Sequence, residues 1–189
     1  MTGYRSASQD VIPIKEESRL IAKIQDHITM YHPDSLAILE TNVNDLSPWY
    51  NRFGEEQRER AMRAFFSTIV EMQMEYEGRL FRAGRSTWDR FLLFDTGDSD
   101  DLEVIALDLQ ERISATRIPN PACYSKMSCQ WKGQVMELDP EHLTVRVGAV
   151  YQRHGDYDLD SMLIKAREAA KQAKTAPDRI LVVEFNPIL

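Results

Sequence analysis

The stretch Arg85-Ser86-Thr87-Trp88-Asp89-Arg90-Phe91 lies between two apolar runs that read as strands, Arg79–Ala83 and Arg90–Phe94. A strand–turn–strand that presents a carboxylate near its tip can offer oxygen ligands to a hard cation. Asp89 is the residue so placed, and the plainer reading of it is an acidic turn residue. Other side chains offer less. Cys123 and Cys129 lie six apart in a loop-like segment. Their separation admits a disulfide, but the expectation is two reduced thiols in a cytosolic protein, and the segment holds too few soft ligands for a metal site. None of the four histidines has a partner at metal-ligand or nucleophile–base spacing. The run Glu55-Glu56-Gln57-Arg58-Glu59-Arg60 reads as a solvated helical face with i,i+4 pairs.

The elements that must position these residues follow from periodicity. Leu20, Ile21, Ile24 and Ile28 recur at helical spacing between Lys15 and Met30, and His32-Pro33-Asp34 ends that helix. Leu36–Leu39 is a short strand, followed by a turn-like Thr41–Asp45. Met62, Phe65, Phe66, Ile69 and Val70 make Gly54–Tyr76 the longest helix, with Gly78 just past its end. After the hairpin, the acidic residues of Thr96–Asp101 favour the start of a helix carrying Leu102, Ile105, Leu109 and Ile113. Arg117–His142, with two prolines, both cysteines, Trp131 and Gly133, reads as a loop that includes a hairpin. Leu143–Tyr151 alternates like a strand, Leu159–Lys174 is a helix with an alanine-rich face, and Ile180–Phe185 is a closing strand. This order predicts an α+β sandwich, with helices packed on an antiparallel-rich central sheet. No repeat, low-complexity tract or linker divides the chain. The expectation is a flexible lead-in over 1–12 and one domain over 13–189.

Composition narrows the function classes. A net charge of −7 over 189 residues argues against a nucleic-acid polymer as partner, because phosphate neutralisation needs clustered Lys and Arg. No apolar run approaches the roughly 18 residues that span a bilayer. Met1–Asp10 has no apolar core of a secretory signal, so the expected compartment is the cytoplasm.

The hairpin resembles the R-x-G-G-D/E-E-F signature of the GGDEF family, the diguanylate cyclases. Arg85, Asp89 and Phe91 match it. Thr87 and Trp88 stand at the two glycines, and Arg90 stands at the Glu. Four further stretches are similar in order. Asp10-Val11-Ile12-Pro13-Ile14 occupies the place of D-x-L-T-G-L. Asn42 to Met62 occupies the place of D-x-D-x-F-K-x-x-N-D-x-F/Y-G-H-x-x-G-D-x-x-L, with Arg52-Phe53-Gly54 anchoring the register. Thr144-Val145-Arg146-Val147-Gly148-Ala149 is similar to T-V-S-I-G-V. Ala166, Ala169, Ala173 and Lys174 match A-D-x-A-L-Y-x-A-K. The resemblance, spanning about Asp10 to Phe185, implies a nucleotidyl cyclase or palm-like GGDEF fold.

It also implies where chemistry would sit. Joining a 3′-hydroxyl to an α-phosphate needs divalent metal held by carboxylates. The family register places Asn42 at the first carboxylate and Asp89 at the second. An amide oxygen can touch a cation but brings no charge, so Asn42 and Asp89 are vestigial, and Asp89 alone is the candidate metal ligand. The hairpin glycines allow close approach to phosphate, which Thr87 and Trp88 do not. The guanine-reading positions carry Tyr50 and Glu59, and the phosphate position carries Lys174, followed by Asp178 and Arg179 where the family has one Arg. The family's product-inhibition motif R-x-x-D has no counterpart in Glu77-Gly78-Arg79-Leu80.

The leading expectation is therefore a catalytically inactive GGDEF-like protein of bacterial signalling that works as a regulatory or protein-interaction module. It has no required cofactor, and Mg2+ enters only where nucleotide binding is retained. A protein partner or self-association is expected through Trp131, Tyr124 and Met127, because aromatic and Met side chains on an irregular segment are typical of interface cores. Two rivals stay open: a divergent diguanylate cyclase using GTP and a divalent metal, and a receptor that binds nucleotide without turnover.

Overall fold

The computed structural model describes residues 17–76, 79, 82–87 and 90–186. The expected lead-in, Asp10–Ile14, Trp88 and Asp89 lie outside the described residues.

The centre of the molecule is β1, Ser35–Val43. Every residue from Leu36 to Val43 is buried, because both faces of the strand are covered. Ala37, Leu39 and Val43 enter one core, and Leu36 and Ile38 the other. The short strand expected at Leu36–Leu39 thus continues through Thr41 and Asn42, which the sequence presents as a turn. Their polarity is accommodated inside: the Thr41 hydroxyl accepts from the Phe91 N–H at 3.2 Å, and Asn42 opens onto a cavity described below.

Around β1 runs a five-stranded sheet built from β2 (Arg82–Thr87), β3 (Arg90–Asp95), β6 (Val145–Arg153) and β7 (Ile180–Glu184), in the order β2-β3-β1-β6-β7. The pairs β1–β3, β1–β6 and β2–β3 are antiparallel, and β6–β7 is parallel. The fold is α+β with a central mixed sheet that is mostly antiparallel. β2 lies later than the expected Arg79–Ala83. Thr87, expected in the turn, pairs with Arg90 after a register shift at Arg85.

Helix α1 (Glu17–Tyr31) and helix α4 (Leu159–Gln172) cover one face of the sheet; α2 (Leu46–Glu75) and α3 (Leu102–Ala115) cover the other. The expected burial of Phe65, Ile69, Leu163 and Ala166 is observed. Helix α2 begins eight residues before the expected Gly54, with Pro48 in its first turn, where a missing N–H costs nothing. Gly54 then breaks it at φ 83°, ψ 177°, a backbone region that glycine reaches without a Cβ penalty. Lys174 belongs to a 3-10 turn, Ala173–Thr175, just beyond α4.

The hairpin anticipated within Arg117–His142 is β4 (Met127–Trp131) with β5 (Gln134–Leu138), joined by Lys132 and Gly133 at φ 48° and 81°. Two consecutive positive φ values are the mark of a type I′ turn, whose twist suits a two-residue hairpin. The segment is tied to α2 by buried polar groups. The Trp49 indole N–H donates to the Asp139 carbonyl at 2.7 Å, and the Gln57 amide donates to the carbonyls of Pro119 and Pro140 at 2.8 and 3.0 Å. Cys123 and Cys129 are free thiols. Among the described residues no helix is long and apolar enough to cross a membrane.

Candidate functional site

Where β1 ends and α2 begins, the chain leaves a cavity of about 470 Å³. Asn42, Asn44 and Asp45 line it from the β1–α2 junction, Trp131, Lys132 and Gln134 from the β4–β5 turn, Arg146 from β6, and Lys174 and Arg179 from the β7 side. Strand register sets its electrostatics. Asn42 pairs with Arg90 on β3 and with Arg146 on β6, so the buried amide sits between two arginines across three adjacent strands. Alternation explains Arg146: Val145 and Val147 enter the α2–α3 core, which turns the residue between them to the other face.

Hydrogen bonds fix this wall. The Asn44 amide nitrogen donates to the Thr144 hydroxyl at 3.0 Å, and the Asn44 N–H to the Thr144 carbonyl at 2.8 Å. Arg146 donates to the Asn44 amide oxygen at 3.2 Å, and Arg179 to the Thr144 hydroxyl at 2.9 Å. Asp45, Lys132 and Arg179 account for three of the six non-glycine residues with positive φ among those described, a concentration of unfavourable backbone at one place. Two residues back from Asn42, Glu40 is 1% exposed and receives Arg90 at 3.4 Å and Arg167 of α4 at 3.1 Å. That carboxylate is committed to an Arg–Glu–Arg cluster inside the protein.

Of the residues singled out from sequence, Asn42, Lys174 and Trp131 meet at this cavity. Asp89 is outside the described residues, although the register brings position 90, its neighbour, opposite Asn42. Tyr50 and Glu59 do not line the cavity. They gather instead about Arg58, whose guanidinium lies 4.9 Å from the Tyr50 ring centre and 3.4 Å from a Glu59 oxygen. Met127 packs against the core and its sulfur accepts from Arg52 at 2.6 Å. Tyr124 is 40% exposed, with its ring 5.4 Å from that of Phe53. Arg79, which carries no product-inhibition motif, forms a paired ion contact with buried Asp95, one bond being Nε to Oδ1 at 2.6 Å.

Sequence reading missed the arginine row and Lys132. The available signal was Arg146 between two valines of an alternating strand. Nothing local marks Lys132 as a neighbour of Asn42, whereas Arg179, one place past the position where the family has an Arg, lines the cavity with Lys174. Mg2+, which the resemblance implies, does not fit the described donor set: three amides, one exposed carboxylate and four cationic side chains line the cavity. Among the described residues no group of three or more His, Cys, Asp or Glu could hold a metal ion.

No protein-family model and no curated protein sequence matches the chain. Solved structures do. The GGDEF domain of DgcB from Caulobacter crescentus, in complex with c-di-GMP, superposes with a TM-score of 0.67 at 12% identity, covering 97% of this chain and 98% of that one. The active GGEEF domain of a diguanylate cyclase from Vibrio cholerae gives 0.62 at 11%, covering 88% and 92%. Diguanylate cyclase SiaD from Pseudomonas aeruginosa, in complex with its activator SiaC, gives 0.64 at 14%, covering 90% and 58%. The chain has the GGDEF-domain fold.

Proposed function

We propose that this chain is a signalling module of diguanylate cyclase fold that does not cyclise GTP and that works by binding. The observation that carries the reading is the Arg90–Asn42–Arg146 row. A metal-assisted phosphoryl transfer needs anionic ligands that hold a divalent cation against developing charge. Here the strand-end position is a neutral amide, its cross-strand neighbours are cations, and the nearest strand carboxylate, Glu40, is buried under Arg90 and Arg167. Arg146 lines the cavity, where its charge would oppose a metal ion. Loss of the hairpin glycines and of the guanine-reading Asn points the same way. SiaD is a diguanylate cyclase captured with a protein activator, and we take contact with a protein partner, or with a second copy, as the means by which this chain acts. Trp131, Tyr124 and Met127 remain the proposed contact residues, with Met127 contributing through its packing against the core.

The test is direct. Purified protein incubated with GTP and Mg2+ or Mn2+ is expected to give no cyclic di-GMP above a protein-free blank. Product that disappears in Asp89→Ala would overturn the reading and establish a divergent cyclase.

A further inference from the structure

We infer that β7 is a dimer edge, at which a second copy of this chain pairs its own β7 antiparallel about a two-fold axis at Val182. The two five-stranded sheets then run on as one. The surface is separate from the contact residues proposed above, and the inference stands whether or not the chain cyclises GTP. β7 closes the sheet on one side, and among the described residues no strand pairs with its outer edge. Its parallel ladder with β6 fixes which groups are free. The Arg179 carbonyl accepts from the Val147 N–H at 2.9 Å, and the Phe185 N–H donates to the Tyr151 carbonyl at 2.7 Å. Main-chain groups alternate in direction from one strand residue to the next. Those of Ile180, Val182 and Glu184 therefore point outward. Asp178 already accepts from the Ile180 N–H at 3.3 Å, which leaves the N–H groups of Val182 and Glu184 for a further strand. The edge reads Ile-Leu-Val-Val before Glu184, without the Pro, Lys or bulge that commonly blunts an exposed strand.

The charges beside the strand make it self-complementary and choose the register. Gly148, which pairs with Leu181, lies under the Ala166–Ala170 turn of α4. Val150, which pairs with Val183, shares a groove of about 580 Å³ with Ser161, Ile164 and Lys165. Val182 is thus level with the α4 turn from Lys165 to Glu168. Both of these side chains are exposed and form an i,i+3 pair at 3.4 Å. Lys165 lines the groove with Val183, and Glu168 follows one turn later on the same face, whereas Arg167 turns inward to Glu40. A two-fold at Val182 brings Lys165 of each copy beside Glu168 of the other. A two-fold at Leu181 would set Glu168 against Glu168, and one at Val183 would set Glu168 against Asp160, so Val182 is the centre that matches unlike charges. Because α4 rests on β6, the two helices lie three strand spacings apart, roughly 14 Å, within reach of a lysine and a glutamate. The trough between them covers Ile164 and Val183, which are 55% and 37% exposed in the single chain.

Sedimentation equilibrium of the full chain over a range of concentrations tests this. A monomer–dimer equilibrium is expected, weakened about tenfold or more by Lys165→Glu or by Glu168→Lys, since each sets like charges face to face twice in the dimer. The exchange variant carrying both substitutions restores unlike pairs and should recover most of the affinity. Circular dichroism with a melting curve checks that each variant folds. Hydrogen exchange reads the strand itself: the Val182 and Glu184 amides should slow as wild-type concentration rises and stay fast in Lys165→Glu. A wild-type chain that remains monomeric at about 100 µM, roughly 5.5 kcal/mol of association, overturns the inference. So does a dimer indifferent to the single charge variants, or one that the exchange variant does not recover. Association lost in Trp131→Ala but kept in both charge variants would uphold the contact residues proposed above and refute the β7 edge; the reverse outcome would uphold β7.

Discussion

Replacing Gly148 with alanine tests how closely α4 lies on the sheet. An added Cβ would come within 2.0 Å of the Ala170 backbone nitrogen, 2.5 Å of the Ala166 carbonyl oxygen and 2.7 Å of the Ala169 carbonyl carbon. No positive φ is involved, so the effect is one of space alone. Because the obstacle is helix main chain, no rotamer change relieves it and α4 must move as a body. Overpacking a dense core costs about 1–3 kcal/mol, and a rigid obstacle puts Gly148→Ala at the upper end, about 3 kcal/mol. For a chain of this size that corresponds to a fall in melting temperature of roughly 6–12 °C. Movement of α4 also draws Arg167 from Glu40, which is 1% exposed and accepts it at 3.1 Å. Urea denaturation of both proteins measures the cost, read as a lower midpoint at unchanged slope. Adding Ala170→Gly should restore nothing, since the clash is with backbone. A loss below about 0.5 kcal/mol, the range of neutral surface substitutions, or full rescue by Ala170→Gly, would refute the close approach of α4 to β6.

Three further outcomes follow. Trp49→Phe deletes the indole donor to the Asp139 carbonyl at 2.7 Å while keeping most of the apolar volume, and should cost about 0.5–1.5 kcal/mol in urea denaturation, the net worth of one hydrogen bond, because the carbonyl keeps only the longer bond from the His142 N–H at 3.4 Å. Burial pushes the Asp139 carboxyl up, but hydrogen bonds from Lys126, the Glu141 N–H and His142 outweigh it and hold the group below its usual 3.8. A folded value below the unfolded one contributes stability that is present above about pH 4 and lost as pH falls through the folded value; Asp139→Asn should remove that part of the acid dependence in stability curves measured from pH 2 to 6. Trp131→Ala should weaken self-association or partner capture by about 1–2 kcal/mol with the melting temperature nearly unchanged. A sharp fall in melting temperature with association intact would make Trp131 a core residue.

The fold was legible where one face of an element is apolar. Phe65 and Ile69, or Leu163 and Ala166, recur at helical spacing because solvent lies on the opposite side, and their burial follows. It was illegible where both sides of an element are covered. Thr41 and Asn42 look like a turn because they are polar, yet they are strand residues buried at the centre of the sheet. Pro48 looks like a barrier to helix, yet stands in the first turn, where the absent N–H has no role. The β4–β5 turn was half visible in Gly133, but Lys132 at φ 48° carries no compositional mark.

The candidate site divides along the same line. Positions that a linear register can align, Asn42 and Lys174, were found and do meet at one cavity. What decides the cavity's chemistry is lateral: Arg90 and Arg146 become neighbours of Asn42 only through antiparallel pairing with residues 48 and 104 positions further along the chain. Counting lost carboxylates therefore understates the change at this strand end. An aspartate restored at position 42 would stand between two guanidiniums, with a third, that of Arg167, engaged on Glu40 two residues away. Its charge would be neutralised by fixed cations before a metal ion could use it. Recovering a metal site would require removing the arginines as well as replacing the amide.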